Sequence, residues 1–166
     1  MPSGHYHGGG AKGSSPRVLV GGGGVGAMAT AIALRRCGVD IEIVEIGPEW
    51  KVYGAGLTIT GPTLRAFRDL GLLDEIARVG FFSVGSHLYL FDGTLLTETL
   101  TPPVEPGLPA SGGIMRPKLH DIMSRIVLQS RVGVRVGLTA TAFDQDDQGV
   151  DVTFSDGSRN RYALDV

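Results

Sequence analysis

Residues 17–45 have the sequence RVLVGGGGVGAMATAIALRRCGVDIEIVE. A short apolar run leads into a cluster of glycines, and a segment compatible with a helix follows as far as Gly38. A second apolar run, with Ile41 and Ile43 in alternation, then ends at the acid Glu45. This order of strand, glycine turn, helix and strand predicts a βαβ unit.

The glycine cluster has a mechanical explanation. When a strand bends sharply into a helix, the exposed N–H groups and the positive dipole end of the helix face a pyrophosphate, and only residues with small side chains allow the bend and the close approach. An acid that binds a ribose hydroxyl is expected roughly 20 residues later, close to where Glu45 stands. The stretch therefore predicts a dinucleotide-binding fingerprint. A flexible glycine linker would not explain the flanking strand, helix and acid.

Two registers of this fingerprint fit the glycines. The first is GxGxxG and consists of Gly21, Gly23 and Gly26. The second is GxGxxA, which the fingerprint also permits, and consists of Gly22, Gly24 and Ala27. We prefer the second register because it places Glu45 well and lets the helix bury Ala31 and Leu34.

Composition limits the class of protein. The chain has 166 residues, 42% of them hydrophobic, and can bury one sizeable core. Its net charge of −2 gives no general attraction to nucleic acid or anionic membranes, and no apolar run approaches the ~20 residues that span a bilayer. Residues 1–16 form a leader that we expect to be disordered and that lacks the core of a secretory signal. We expect a cytoplasmic protein that binds neither nucleic acid nor a membrane.

Cysteine and histidine predict no metal site and no catalytic group. Cys37 is the only cysteine, so it forms no intramolecular disulfide, and its place late in the helix predicts that it fills the core. His5 and His7 lie in the leader. His87 and His120 have no partner in the sequence that would mark an acid–base pair. We assign no metal ligand and no catalytic residue.

Beyond residue 80 the pattern departs from simple strand–helix alternation. Residues 92–93, Asp-Gly between alternating runs, predict a β-hairpin that interrupts the parallel winding. Pro117 marks the first turn of a helix, and residues 133–136 predict a parallel strand after it. A three-stranded antiparallel meander follows, and residues 163–166 predict the opening of one more strand. We expect an α/β fold and an incomplete domain, because that strand is cut in mid-run.

The ordered combination of motifs resembles one family. The fingerprint with Glu45, the Gly-Ala-Gly-Leu segment at 54–57, the Arg116-x-x-Leu119 helix entry and the meander are similar to those of the FAD-dependent aromatic hydroxylases, the single-component flavoprotein monooxygenases. The resemblance covers residues 17–166. It implies that these residues are the N-terminal part of a Rossmann-like FAD-binding domain.

The resemblance implies a role for each motif. The glycine loop would hold the FAD pyrophosphate and the acid the adenosine ribose, while the Gly-Ala-Gly-Leu segment would pass near the isoalloxazine ring and the arginine would contact the cofactor. By residue type alone, the Gly-Ala-Gly segment equally indicates a tight loop. The cofactor-binding residues implied are Gly22, Gly24, Ala27, Glu45, Gly54, Ala55, Gly56, Leu57 and Arg116.

The resemblance also implies an activity. It is hydroxylation of an aromatic or polyketide-like small molecule with O2 and either NADH or NADPH, in which the reduced flavin activates oxygen and the protein supplies position and a dry pocket. Two positions depart from the family, which often has glycine in place of Ala27 and a basic residue in place of Ile46. The family's later Asp-Gly and Gly-Asp motifs and its substrate-binding sheet lie outside these residues.

Two other functions fit the fingerprint. One is a nicotinamide-binding domain of a dehydrogenase, in which Glu45 would repel a 2′-phosphate and so favour NAD over NADP. The hairpin and the meander disfavour it, because a simple dehydrogenase domain continues with alternating strands and helices. The other is a nucleotide-binding module without turnover, since a fold does not determine a function.

Overall fold

The computed structural model describes residues 17–165, so the predicted leader of residues 1–16 lies outside the described residues. The described chain divides into two compact units. The first unit consists of residues 17–52 and 123–165, and the second of residues 53–122.

Twelve strands and four helices follow one another along the described residues. The strands are β1 (Arg17–Gly21), β2 (Asp40–Glu45), β3 (Gly56–Thr60), β4 (Phe81–Ser83), β5 (Gly85–Tyr89), β6 (Leu95–Leu100), β7 (Ser111–Met115), β8 (Gly133–Val136), β9 (Ala140–Asp146), β10 (Gly149–Phe154), β11 (Arg159–Tyr162) and β12 (Leu164–Asp165). The helices are α1 (Val25–Arg36), α2 (Gly61–Asp69), α3 (Leu73–Val79) and α4 (Arg116–Gln129).

A four-stranded parallel sheet organises the first unit. Its order is β12-β1-β2-β8, and each neighbouring pair is parallel. Read from the β8 edge, the strands of this sheet are the third, second, first and fourth in chain order. This is the strand order of a doubly wound nucleotide-binding fold. The predicted βαβ unit and parallel sheet are confirmed, and the predicted last strand forms as β12 beside β1. Ligands of such sheets bind outside the carboxyl ends of the strands.

Strand β2 is buried on both faces. Burial is not confined to the alternating Ile41 and Ile43, because all four residues from Ile41 to Val44 are buried, including the charged Glu42. Both faces are covered because the sheet is sandwiched, as parallel sheets generally are. On one face Leu19 and Val44 pack against the side chains of the meander. Ile43 points to the opposite face of the sheet, which is the face available to the buried side of α1.

Helix α1 differs in detail from its predicted form. It begins at Val25 rather than near Met28 and buries Met28, Ala31 and Ile32, while Leu34 is half-buried. The prediction that Cys37 fills the core is wrong. Cys37 is the residue that ends the helix, and its side chain is exposed.

The meander lies on one face of the parallel sheet. Strands β9, β10 and β11 pair antiparallel in sequence order, which confirms the predicted meander. Four of its side chains, which belong to the buried cluster with Leu19 and Val44, point to the sheet. They are Val150, Val152, Phe154 and Tyr162.

The second unit contains a small antiparallel sheet, two helices and a hairpin. The sheet has the order β3-β7-β4, and Ile59 and Ile114 in it are buried, as are Leu64, Phe67 and Ile76 of the helices. Strands β5 and β6 form the hairpin predicted around residues 92–93. No helix among residues 17–165 is long and apolar enough to cross a membrane.

Candidate functional site

The glycine run lies at the junction between β1 and α1. Gly22 has a φ of 95°, a left-handed conformation that favours glycine, and its N–H donates to the carbonyl of Val44 at 2.7 Å. Gly24 is the N-cap of α1, and the carbonyl of Gly24 accepts the first helical hydrogen bond, from Met28, at 3.0 Å. The backbone therefore makes the sharp bend that the fingerprint requires.

The start of α1 suits an anion. The first amides of a helix have no intrahelical acceptor, and they carry the positive end of the helix dipole. The first turn, all of it within the described residues, contains no acidic side chain, and no side chain caps it. Bare amides with a positive dipole at a strand–helix junction form a binding site for phosphate.

Glu45 lies at the mouth of this bend. One carboxylate oxygen, Oε2, accepts the N–H of Gly23 at 2.7 Å, and the other, Oε1, accepts the N–H of Gly47 at 2.7 Å. Each oxygen of a carboxylate has room for a further donor. Glu45 is half-buried, so it orders the loop and still offers acceptors to a hydroxyl group.

The side chain of Trp50 lies on the glycine loop, which the sequence did not predict. Its indole Nε1–H donates to the carbonyl of Gly23 at 2.8 Å. A Cβ at position 23 would overlap the indole ring and approach Glu45 Oε2 to 3.0 Å, so the space at Gly23 admits no side chain. The sequence carried no signal for this contact, because a tryptophan after a Gly-Pro turn is ordinary loop composition.

Each register of the fingerprint contains one position where the structure requires glycine. Gly22, from the preferred register, needs its left-handed φ, and Gly23, from the alternative register, needs its lack of a side chain. Gly24 and Gly26 have open space where a Cβ would stand. Both sets run from the end of β1 through the loop into the first turn of α1, and the choice of Gly22, Gly24 and Ala27 stays a prediction.

A second group of predicted residues meets in the second unit. Gly54 has a φ of 125°, and a Cβ there would lie 3.6 Å from Cδ and Nη1 of Arg116. The N–H of Arg116 donates to the carbonyl of Ala55 at 3.2 Å. Gly56 and Leu57 were predicted to continue the loop, but they begin β3, because they pair with Met115 and Ile114 of β7.

Arg116 is available to an anion. It is the first residue of α4, and it is exposed. Within residues 17–165, no carboxylate forms an ion pair with its guanidinium. A planar guanidinium beside a backbone of small residues fits a phosphate or another flat acceptor.

Two histidines of the second unit have no assigned role. His87 Nε2 lies 3.0 Å from Oε1 of Glu98 on the paired strand, a partner that the sequence did not predict. The side chains of His87 and Glu98 are about half exposed on the hairpin. His120 is buried in α4. Neither observation gives a catalytic role to a histidine.

A strand–glycine–helix bend, an acid at its mouth and an open helix N-terminus define a dinucleotide-binding domain. The model of one family, described as the FAD binding domain, matches residues 15–164. The chain therefore belongs to the family of FAD-binding domains, which confirms the resemblance to flavoproteins.

Individual relatives agree with this family. The chain is 29% identical over 151 residues to 2-heptyl-3-hydroxy-4(1H)-quinolone synthase from Pseudomonas aeruginosa, covering 90% of this chain and 38% of the relative. It is 30% identical over 145 residues to FAD-dependent urate hydroxylase from Klebsiella oxytoca, covering 86% and 37%. Among solved structures, 2-methyl-3-hydroxypyridine-5-carboxylic acid oxygenase has a TM-score of 0.77 and 25% identity, covering 92% and 39%. The chain thus spans 38% and 37% of the length of these two curated relatives.

Proposed function

We propose that this chain is the FAD-binding part of a flavin-dependent monooxygenase that hydroxylates an aromatic or polyketide-like small molecule. The proposal depends mainly on one observation, the glycine bend with the Glu45 carboxylate at its mouth. The names of the relatives, a urate hydroxylase and a pyridine carboxylic acid oxygenase, support the reaction class. The same proposal includes NADH or NADPH as the reductant and a cytoplasmic location.

The first unit would bind the adenosine diphosphate half of FAD. The free amides at the start of α1 and of the loop that contains Gly22 and Gly24 would donate to the pyrophosphate. Ala27 lies in the first turn of the same helix, where its small side chain leaves the amides accessible. The remaining lone pairs of Glu45 would accept the ribose hydroxyls, and its charge would exclude a 2′-phosphate.

The second unit would contact the flavin half. Gly54 and Ala55 present backbone with almost no side chain, which a flat ring can approach closely. Gly56 and Leu57 hold that backbone in place because they pair with β7. The exposed guanidinium of Arg116 would donate charge-assisted hydrogen bonds to the cofactor.

The protein's own contribution to catalysis is position and exclusion of water. When bound, the flavin supplies the transfer of electrons from NAD(P)H to oxygen and the activation of oxygen for hydroxylation. These residues orient the cofactor. No group of this chain is assigned as acid or base.

The identity of the cofactor tests the proposal. We expect the purified full-length protein to be yellow, to release FAD on denaturation, and to bind added FAD more tightly than NAD, whereas residues 17–166 alone should bind FAD weakly or not at all. Oxidation of NAD(P)H should then accelerate with a hydroxylatable aromatic compound. A colourless protein that binds NAD and ignores FAD would contradict the proposal and favour a dehydrogenase. FAD binding with no NAD(P)H oxidation would favour a module without turnover.

A further inference from the structure

Glu45, the last residue of β2, and Trp50, in the loop after it, both form hydrogen bonds with the backbone of Gly23. Glu45 accepts its N–H at 2.7 Å, and the indole of Trp50 donates to its carbonyl at 2.8 Å. The N–H and the carbonyl of one residue belong to two successive peptide units. Glu45 and Trp50 therefore fix the orientation of two adjacent peptide planes in the glycine loop.

The hydrogen bond from Trp50 determines where the next amide points. The peptide bond between Gly23 and Gly24 is trans and planar, so its N–H points away from its carbonyl. Because the carbonyl faces the indole, the N–H of Gly24 faces the opposite side. Gly24 is exposed and is the N-cap of α1, next to the free amides of the first turn.

The same contact explains why position 23 is glycine. Gly23 has no left-handed φ, so its backbone conformation is open to any residue. The nearest obstacles to a Cβ are Nε1 and Cδ1 of Trp50, followed by Oε2 of Glu45. Within the protein, side chains and not backbone atoms are the nearest obstacles at this position, and the indole is the first of them.

We propose that Trp50 is a positioning residue for the cofactor: through its indole N–H it turns the Gly23–Gly24 peptide so that the Gly24 N–H faces the pyrophosphate of the dinucleotide. If Trp50 served only for packing, its ring would suffice and its N–H would not matter. Trp50 does line a cleft of about 350 Å³ together with Leu128, Val134 and Val136. The inference rests on the proposed binding of FAD at this loop.

The first test removes the N–H and keeps a ring. In the purified full-length protein, W50F should raise the Kd for FAD by roughly 3- to 10-fold, the effect of one neutral hydrogen bond, while the apoprotein stays folded with only the small fall in unfolding temperature that one lost hydrogen bond causes. E49Q, which removes the exposed pair of Glu49 with Lys51 on the same loop, is the matched control and should leave the Kd unchanged. An unchanged Kd in W50F, with wild-type protein that binds FAD, overturns this inference alone.

The second test is a double-mutant cycle at the contact. G23A alone should weaken FAD binding more than 10-fold, because its Cβ displaces the indole. In a W50A background the same G23A change should cost clearly less, since coupled residues in contact are not additive, and only the 3.0 Å approach to Glu45 Oε2 remains. Equal costs in both backgrounds would mean that Trp50 is not coupled to Gly23, and would overturn the inference. A wild-type protein that binds no FAD overturns the proposed function as well.

Discussion

Strand β2 carries two glutamates with opposite environments. Glu42, in the middle of the strand, is 3% exposed, and its partners are charged or polar side chains. Glu45, at the carboxyl end, is half-buried, and the partners of its carboxylate are the backbone amides of Gly23 and Gly47. The two glutamates therefore differ in what they can still bind. The carboxylate of Glu42 is surrounded by side-chain donors and stabilises the fold, whereas the carboxylate of Glu45 is held by loop amides and keeps lone pairs that can accept further hydrogen bonds.

Glu42 joins the parallel sheet to the meander. Its Oε2 lies 2.6 Å from the Arg17 guanidinium and accepts the Tyr162 hydroxyl at 2.6 Å, and its Oε1 lies 3.6 Å from Arg135. Arg17 and Arg135 also lie over the rings of Tyr162 and Phe154. Burial, and then the hydrogen bond to the Glu42 carboxylate, raise the pKa of the Tyr162 hydroxyl far above its usual value. A buried charge with these partners is satisfied and has no place for a ligand.

The largest expected effect is on stability at Glu42. Glu42→Ala should lower the free energy of unfolding by about 2–4 kcal/mol, because the Tyr162 hydroxyl loses its acceptor and the largely buried Arg135 loses one of its two carboxylate partners and keeps Asp156. Glu42→Gln, which keeps an acceptor for Tyr162, should lose less. Denaturant titration measures both, with the exposed Glu49→Ala as a control near zero. A loss below about 0.5 kcal/mol would contradict the structural role of Glu42.

The next effect is on cofactor binding at Glu45. Glu45→Ala should weaken FAD binding by about 1–3 kcal/mol, because a charged hydrogen bond to the ribose is lost and the loop is released. Isothermal titration with FAD measures it. If Glu42→Ala weakened FAD binding more than Glu45→Ala did in folded protein, the division between the two glutamates would be wrong.

The smallest effect is at Tyr162. Tyr162→Phe should lower the free energy of unfolding by about 1 kcal/mol at neutral pH, since it removes one buried hydrogen bond to Glu42. The pKa of Tyr162 is raised in the folded protein, so its contribution is complete below the unfolded pKa of about 10 and is lost as the pH rises above it. Unfolding curves at pH 7 and at pH 11 should therefore show wild type losing more stability than Tyr162→Phe. Equal losses would contradict the buried, neutral hydroxyl.

Local patterns in the sequence predicted most of the fold. The βαβ unit, the hairpin around residues 92–93 and the meander depend on neighbours a few residues apart, so periodicity and turn residues determine them. The small sheet of β3, β7 and β4 was not predicted, because its short strands pair across a long stretch of sequence, and no local pattern records such a pairing. The burial of Glu42 was missed for a similar reason, because its partners Arg17, Arg135 and Tyr162 come from three other strands.

For the candidate site, the sequence by itself determined which residues are predicted to bind a dinucleotide: the glycines, the acid Glu45 at its spacing, and the arginine at a helix entry. Their chemistry follows from residue type and from distances along one βαβ unit. Only the tertiary structure decided that Glu45 holds the Gly23 amide, that Trp50 closes the other side of Gly23, and that Glu42 is structural. These facts depend on which side chains the folded sheet brings within hydrogen-bond distance, and no periodicity along the chain records such contacts.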